Sequence, residues 1–524
     1  MSVSVNTKRV LVRNTAWNYA GFAINLAANF LIFPFIVRRM GDAATGVWLL
    51  LTAVTGYMGL LELGIVPSLT QSIAAALARG ERGAVSRAAS SAQAVLIGLA
   101  TIALMLLPAS AAAIHLLAIP PALHDDALLA LRLTIVGFAL RMPLAAFQGI
   151  LLGSQRQDRC NQLWIVIALA KCLGAVVVLS SGHGLVALVA TELAIHLLAG
   201  VLQITWVYQE IPDLRLSWRL VNRLDGMRLL SFGSAMLAVS MCSLIIEQTD
   251  RVVIATFLPV ERVTHYAAAW KIYMLAFSLT TTFVQAVSPV AADLFGRNDQ
   301  RGLRHLFLHS TKLTTLVAWP LVFALGLSGG FLLRLWMGAR FVDALPVAQV
   351  LMVAFAVTAY NHAGYSVLIG TRRVGPTVAR YFLPQAVLNL ILSVWLVRTL
   401  GNVGVALGTM VPALGLEYWF LSFVLRELKV SWSEFFRDAV FPITLPALIA
   451  YSPLGLAYWM LDAASPALPA VAIVCSLLYV VVVWRFLNAE DRSDLLGYLP
   501  APLRNRAPML AVSAGLSLEQ RSES

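Results

Sequence analysis

Apolar stretches of about twenty residues recur from one end of this chain to the other, with short basic punctuation between them. A bilayer core of roughly 30 Å takes about 20 mostly apolar residues per helix. Inside it, only helices and closed barrels can satisfy their own backbone. Soluble domains carry about a quarter charged residues, whereas this chain carries 12% and has a mean hydropathy of +0.80. The chain therefore reads as an all-α integral membrane protein without a sizeable soluble domain.

Runs broken by Arg, Gly, Pro and Asp predict fourteen spans. A cytoplasmic N-terminal tail, 1–14, precedes six of them, at 15–37, 46–73, 88–108, 127–152, 160–180 and 184–207. This first block, 15–207, is expected to be one lobe, and a polar connector, 208–228, follows it. A second block, 229–425, holds spans at 229–258, 264–293, 304–328, 344–370, 374–399 and 402–425. Two further spans, 438–461 and 466–487, fill the segment 426–487, and 488–524 is a polar cytoplasmic tail. The opening run from Trp17 to Val37 is too long for the core of a signal peptide and contains Asn18, Asn25 and Asn29. It reads as an uncleaved first helix.

Charge tests this count. Lys and Arg concentrate in cytoplasmic loops near helix ends. With the N-terminus inside, 26 of the 38 basic residues fall in inner loops and tails, six in outer loops and six within spans. The alternation stays in phase to the end, which puts both termini in the cytoplasm. The net charge of +12 is then a topology signal facing anionic headgroups, and no nucleic-acid partner is expected. Cys160, Cys172, Cys242 and Cys475 lie in or beside apolar segments without ligand spacing, so neither a metal site nor a disulfide framework is expected.

The two six-span blocks resemble each other at an offset of about 218 residues. Leu152-Gly153-Ser154-Gln155-Arg156 matches Ile369-Gly370-Thr371-Arg372-Arg373, and Gly184-Leu185-Val186-Ala187-Leu188 matches Gly404-Val405-Ala406-Leu407. Arg79-Gly80-Glu81-Arg82 matches Arg297-Asn298-Asp299-Gln300. Because each block has an even number of spans, the repeats are parallel, a plan used by transporters that rock one lobe against the other. Duplication retained only for packing is the alternative.

Further motifs carry a resemblance. Pro34, then Arg39-Met40-Gly41 and Gly46-Val47-Trp48, then Leu60-Leu61-Glu62-Leu63-Gly64-Ile65 in the second span, and Leu332-Leu333-Arg334-Leu335-Trp336-Met337-Gly338 with Phe341 before the tenth, resemble the polysaccharide-transporter branch of the multidrug/oligosaccharidyl-lipid/polysaccharide exporter superfamily. The resemblance covers about residues 9–490. It implies a V-shaped pair of six-helix lobes plus two C-terminal helices. It also implies a flippase carrying an undecaprenyl-pyrophosphate-linked oligosaccharide from the cytoplasmic to the periplasmic leaflet of a bacterial inner membrane, for O-antigen or exopolysaccharide synthesis. Expected partners are that substrate, membrane lipids, and a polysaccharide polymerase with other assembly proteins; the protein itself is expected to be a monomer.

Ionisable residues inside spans are costly and usually face an interior or aqueous cavity. Arg141 and Lys171 sit near the middle of two sequential helices and are the preferred pyrophosphate ligands, one as a planar fork and one as a point charge. Arg251 and Lys271 would extend this cationic lining, although Lys271 reads equally well as a snorkelling side chain. Arg132 and Lys312 read as snorkelling residues. In the seventh span, Glu247 and Arg251 are four apart and spaced for an ion pair, with Asp250 near enough to join. The carboxylate left over would load a proton or a sodium ion; the same cluster also reads as a structural lock. Glu62 falls at the family's acidic position in the second span. Glu192 and His196 read as a hydrogen-bonded pair, and His362 and Glu417 as isolated, structurally satisfied polar residues. Asn25, Asn29, Trp270, Tyr273, Tyr360 and Asn361 suit a sugar-contacting wall. No cofactor is expected beyond H+ or Na+ coupling.

The rival readings are a drug/cation antiporter or a peptidoglycan-precursor flippase of the same superfamily. More distant is a polytopic glycosyltransferase or polymerase. No outer loop offers the converging acid, base and scaffold such an enzyme needs; His115, His124, Asp125 and Asp126 in the second outer loop lack a diagnostic spacing. No Walker-type motif is present, so energy must come from an ion gradient, a partner or substrate flux.

Overall fold

The computed structural model describes residues 5–493 apart from 63, 233, 285–286, 372–373 and 489–490. Arg372, Arg373 and most of the expected polar tail therefore lie outside the described residues. Among those described, every regular element is helical. Ten helices are long and apolar enough to cross a membrane, and Ile65–Ala78 and Val287–Gly296 are shorter apolar helices.

Two helices are far too long for one crossing. Val5–Met58 and Val374–Glu427 each run 54 residues, about 80 Å at 1.5 Å per residue. Each is interrupted by one glycine with non-helical dihedrals, Gly41 (φ 79°) and Gly401 (φ 57°). A side chain there would clash in the left-handed region, so glycine lets the chain turn back without a loop.

The chain forms two compact units, Met1–Lys271 with Val374–Pro412, and Ile272–Arg373 with Ala413–Ser524. In the first, Ile65, Leu69, Ile73 and Ala76 form one buried stripe at helical spacing. It packs on Val85, Ala89, Ala92 and Leu96 of Arg82–Leu104 and on Phe147, Ile150 and Leu151 of Ala145–Gly153. In the second, Phe441–Met460 and Ala467–Phe486 share a core of Tyr451, Leu454, Ala472, Cys475 and Tyr479, against which Trp319 and Phe323 pack. The opposite faces of these last helices expose Leu445, Ile449, Trp459, Leu477 and Val480, as helices immersed in lipid do.

Local geometry recurs at the offset seen in the sequence. Gly80 and Asn298 both adopt positive φ. The same hydrogen bonds surround them: Glu81 N to Ala76 O and Asp299 N to Leu294 O, Gly80 N to Leu77 O and Asn298 N to Phe295 O. The fourth span breaks at Met142–Leu144, where Pro143 sits, and resumes as Ala145–Gly153. The tenth breaks between Leu345–Thr358 and His362–Gly370, without a proline. Both resuming helices are nine residues long, and each ends on a glycine against a short helix. A Cβ on Gly153 would lie 2.9 Å from Thr70 O, and one on Gly370 2.4 Å from Ser288 O. Pro67 and Pro289 are each the third residue of their short helix, where the missing N–H costs little.

Candidate functional site

The seven residues expected to bind substrate or couple an ion, Arg141, Lys171, Arg251, Lys271, Glu62, Glu247 and Asp250, lie in the first unit. Arg141 closes the helix His124–Arg141, just before the break at Pro143. Lys171 comes from Gln157–Ser180, and Glu192 from Leu185–Glu210. Lys171 Nζ stands 3.5 Å from Glu192 Oε1. Arg141 interacts electrostatically with both Glu192 and Glu62, and His196 feels the charges of Arg141 and Lys171. Three helices and the turn at Glu62 thus bring two cations, two acids and an imidazole together. Glu192, read from sequence as the mere partner of His196, is the acid that both cations share.

A second cluster surrounds the seventh span, Ser234–Phe257. Asp250 is buried, with 1% of its surface exposed. Its Oδ2 accepts hydrogen bonds from the Tyr266 hydroxyl and, at 3.2 Å, from Thr409 Oγ1, Ser393 lies near enough to act on the same carboxylate, and among the described residues none makes a well-formed hydrogen bond to the buried Oδ1. Arg251 turns elsewhere: its Nη1 donates to Gln248 Oε1 at 3.0 Å and Thr52 Oγ1 at 3.2 Å. Glu247 is exposed and acts on Arg251 through its charge. The i,i+4 spacing brought the two near each other, but the guanidinium's hydrogen bonds go to a neutral amide and to another span. Tyr57 pairs with Thr249 through their hydroxyls, so Thr52 and Tyr57 fasten the second span to the seventh.

Lys271 joins this cluster. Its Nζ lies 3.4 Å from Asn29 O and 4.7 Å above the Phe33 ring, and its charge acts on that of Arg251. Both clusters touch the second span, through Thr52 and Tyr57 at one level and Glu62 at another. Thr52 and Tyr57 lie on the helix that ends at Met58, whereas Glu62 lies in the turn that breaks the expected second span, after the 3-10 segment Gly59–Leu61 and before Ile65–Ala78. The four bases are balanced by four acids: Glu62, Glu192, Glu247 and Asp250. The charges are therefore balanced rather than purely cationic, and among the described residues Lys171 and Glu192 form a direct ion pair.

Residues 68–346, more than half of the chain, match the family described as polysaccharide biosynthesis protein. The chain belongs to that family. A "Putative O-antigen transporter" of Shigella flexneri is 22% identical over 433 residues, covering 80% of this chain and 97% of that protein. Among solved structures, the lipid II flippase MurJ, in an inward closed conformation, matches with a TM-score of 0.70 at 13% identity, over 91% of this chain and 98% of that one. An inward-facing multidrug resistance MATE transporter of the MOP superfamily matches with a TM-score of 0.65 at 17% identity, over 77% and 95%. The chain therefore has the fold of MOP-superfamily transporters, and its named relatives are transporters and flippases rather than enzymes.

Within this family fold, the other sequence candidates divide. Arg132 Nε donates to Ser110 Oγ at 3.3 Å. Lys312 pairs with Asp491 at 2.6 Å in the second unit. The amides of Asn25 and Asn29 bond carbonyls four residues back, Gly21 O and Asn25 O, and so are committed to their own helix. Trp270 stacks on Tyr266. His362 lies edge-on to Phe277, and Tyr360, Asn361 and Glu417 line a separate pocket in the second unit. Tyr266 and Thr409, which donate to Asp250, were not among the residues the sequence marked. They lie 16 and 159 residues from it, and no local spacing signals them.

Proposed function

We propose that this chain is a flippase for an undecaprenyl-pyrophosphate-linked oligosaccharide, moving it from the cytoplasmic to the periplasmic leaflet of a bacterial inner membrane for surface polysaccharide synthesis. The observation that carries this reading is the convergence of Arg141 and Lys171 on Glu192 in a chain of the polysaccharide biosynthesis family. Two cations from consecutive helices suit the oxygens of a diphosphate, a fork and a point charge that bind by charge-assisted hydrogen bonds. Glu192 holds Lys171 while the site is empty and yields it to the headgroup. Arg251 and Lys271 lie along the headgroup's path.

Fourteen spans support the topology this requires. Splitting the two overlong helices at Gly41 and Gly401 turns ten crossings into twelve, and Ser234–Phe257 and Glu261–Val284 add two. An even count leaves both termini on one side, which the basic loops make cytoplasmic. The recurring turns and half-helices favour two parallel six-span repeats working by alternating access. Asp250, buried and held by hydroxyl groups, is the carboxylate that takes up a proton or sodium ion, and Glu247 and Glu62 assist it. The protein works as a monomer beside a polysaccharide polymerase.

The likeness to MurJ favours a second reading, a peptidoglycan-precursor flippase, which would use the same diphosphate chemistry. Deleting the gene discriminates. The proposed function predicts loss of surface polysaccharide and accumulation of lipid-linked repeat units on the cytoplasmic side, with the cell wall intact. Lysis with accumulated wall precursor would favour the second reading. Normal glycan with increased drug sensitivity would point to an antiporter and overturn both.

A further inference from the structure

Residues 211–229, most of the expected polar connector, are fastened along the start of the helix Arg82–Leu104 by three of its serines, all buried. Ser86 Oγ accepts from Arg215 N at 3.1 Å, Ser90 Oγ from Ser217 N at 3.2 Å and Ser91 Oγ from Asn222 N at 3.0 Å. Leu214 and Leu229 are buried in the core that this helix shares with Ile65–Ala78, and Leu216 packs against it. A Cβ on Gly226 would meet Val95 Cγ2 at an ordinary 3.5 Å. One side of the connector is therefore fixed against the protein.

The other side is turned outward. Trp218 is 70% exposed, Leu224 64% and Met227 56%, and Val221 is exposed with them. Arg215, Arg219 and Arg223, also exposed, are interleaved among these apolar side chains. On the helix Arg223–Phe232, Leu224 and Met227 are three apart and share a face. Arg223 and Arg228 flank that face, and Gly226 and Leu229 lie opposite. The acids here are engaged by other cations: Glu210 by Arg156, Asp213 by Arg82, and Asp225 by Arg228 at 3.8 Å. Among the described residues, none pairs with the guanidinium groups of Arg215, Arg219 or Arg223.

A loop that only records topology needs basic residues and has no use for large apolar side chains held outward, which are costly in water. Nor does this face lie far from a bilayer. The connector begins directly after Leu185–Glu210 and lies along Arg82–Leu104, both long and apolar enough to cross a membrane. Its helix ends beside the start of Ser234–Phe257. Arginines interleaved with a tryptophan and aliphatic side chains, tethered to span ends, are the composition of a segment lying in the membrane interface. Its apolar members reach the acyl boundary while the guanidinium groups stay at phosphate level. Cations left without acids there favour anionic headgroups.

We infer that the outward side of residues 215–228 is an interfacial anchor that binds anionic phospholipid in the leaflet nearest it. This inference does not depend on the transport reading. It is tested on the full-length protein in nanodiscs of mixed phosphatidylcholine and phosphatidylglycerol, one or the other carrying acyl chains brominated close to the headgroup. The Trp218 signal is the tryptophan fluorescence lost in Trp218→Phe. It should be quenched, and half-quenching should need about a 5-fold lower fraction of brominated phosphatidylglycerol than of brominated phosphatidylcholine, the factor for one arginine beside an anionic headgroup. Arg215→Gln, Arg219→Gln and Arg223→Gln combined should bring the two fractions together while Trp218 stays quenched. A Trp218 signal that neither lipid quenches would show that this side faces water or another protein, and overturns the inference. Equal half-quenching fractions in the unmodified protein overturn it too, as does a preference undiminished in the triple variant.

Discussion

Lys171 and Glu192 face each other from two consecutive helices, Nζ to Oε1 at 3.5 Å, with 34% and 21% of their side chains exposed. A pair so exposed contributes about 0–1 kcal/mol, little enough for an incoming anion to replace the acid. Charge-assisted bonds to a diphosphate are stronger, about 1.5–3 kcal/mol each. Lys171→Ala should therefore weaken binding of a lipid diphosphate by about 10- to 100-fold and abolish translocation in proteoliposomes, as should Arg141→Ala, with both proteins still inserted. The charge swap Lys171→Glu with Glu192→Lys keeps the pair but moves the cation to the other helix. It should leave translocation lost; recovery to wild-type rates would show that the pair serves packing alone.

Asp250 yields a different separation of roles. Asparagine at this position keeps an acceptor for Tyr266 and Thr409 but carries no charge at any pH. Alanine leaves both hydroxyls without their acceptor, at a cost of about 2–4 kcal/mol. Thermal unfolding in detergent should show Asp250→Asn close to wild type and Asp250→Ala clearly lowered. Translocation by Asp250→Asn should no longer respond to an imposed proton or sodium gradient. A gradient response preserved in that variant would remove Asp250 from ion coupling.

Much of this was legible in the sequence, for physical reasons that also mark its limits. Span lengths and basic loops follow from the bilayer's thickness and the cost of moving charge across it, so the helical class and the positions of Arg141 and Lys171 could be read directly. The break at Met142–Leu144 falls on Pro143, which removes a backbone donor, whereas the equivalent break at Ala359–Asn361 has no proline and left no local mark. Pairings between helices were not legible. Spacing suggested Glu247 for Arg251, yet Thr52, 199 residues away, supplies one of its hydrogen bonds. Glu192 looked local to His196 because its true partners sit on other helices.

Lys312 illustrates the same limit and yields a stability test. Expected to snorkel, it is instead buried, with Nζ 2.6 Å from Asp491 Oδ2 and His309 Nδ1 3.6 Å from Oδ1. Burial pushes the Asp491 carboxyl up, but hydrogen bonds from His309 and Lys312 and their charges outweigh it and hold the group below the usual carboxylate range. A carboxyl depressed on folding adds stability that is fully present above its unfolded value, about 3.9, and is lost as pH falls through the depressed value. Asp491→Asn should therefore destabilise the protein at neutral pH, by about 3–5 kcal/mol for a buried cation left alone, and the gap should close only in strong acid. Replacing both partners, Lys312→Met with Asp491→Leu, should recover most of the loss. A double variant as unstable as the single one would mean that the pair does not act as a unit.

The two glycines that end the broken spans test whether the repeats share a packing rule. A Cβ on Gly153 would lie 2.7 Å from Ile73 Cβ, and one on Gly370 2.9 Å from Ala291 Cβ. Both neighbours are fixed by helix backbones and cannot rotate away, so alanine must push the short helices outward. Overpacking of this kind costs about 1–3 kcal/mol. Gly98 and Gly415 are helical glycines where an added methyl group would meet nothing within 4 Å, and alanine there should be neutral or stabilising by up to about 1 kcal/mol. Melting temperatures of the four alanine variants in one detergent check this. Gly153→Ala and Gly370→Ala should fall together while the other two hold or rise. A loss confined to one of the first pair would show that the short helices Ile65–Ala78 and Val287–Gly296 are held by different contacts, and the structural correspondence between the blocks would then stop at the turns.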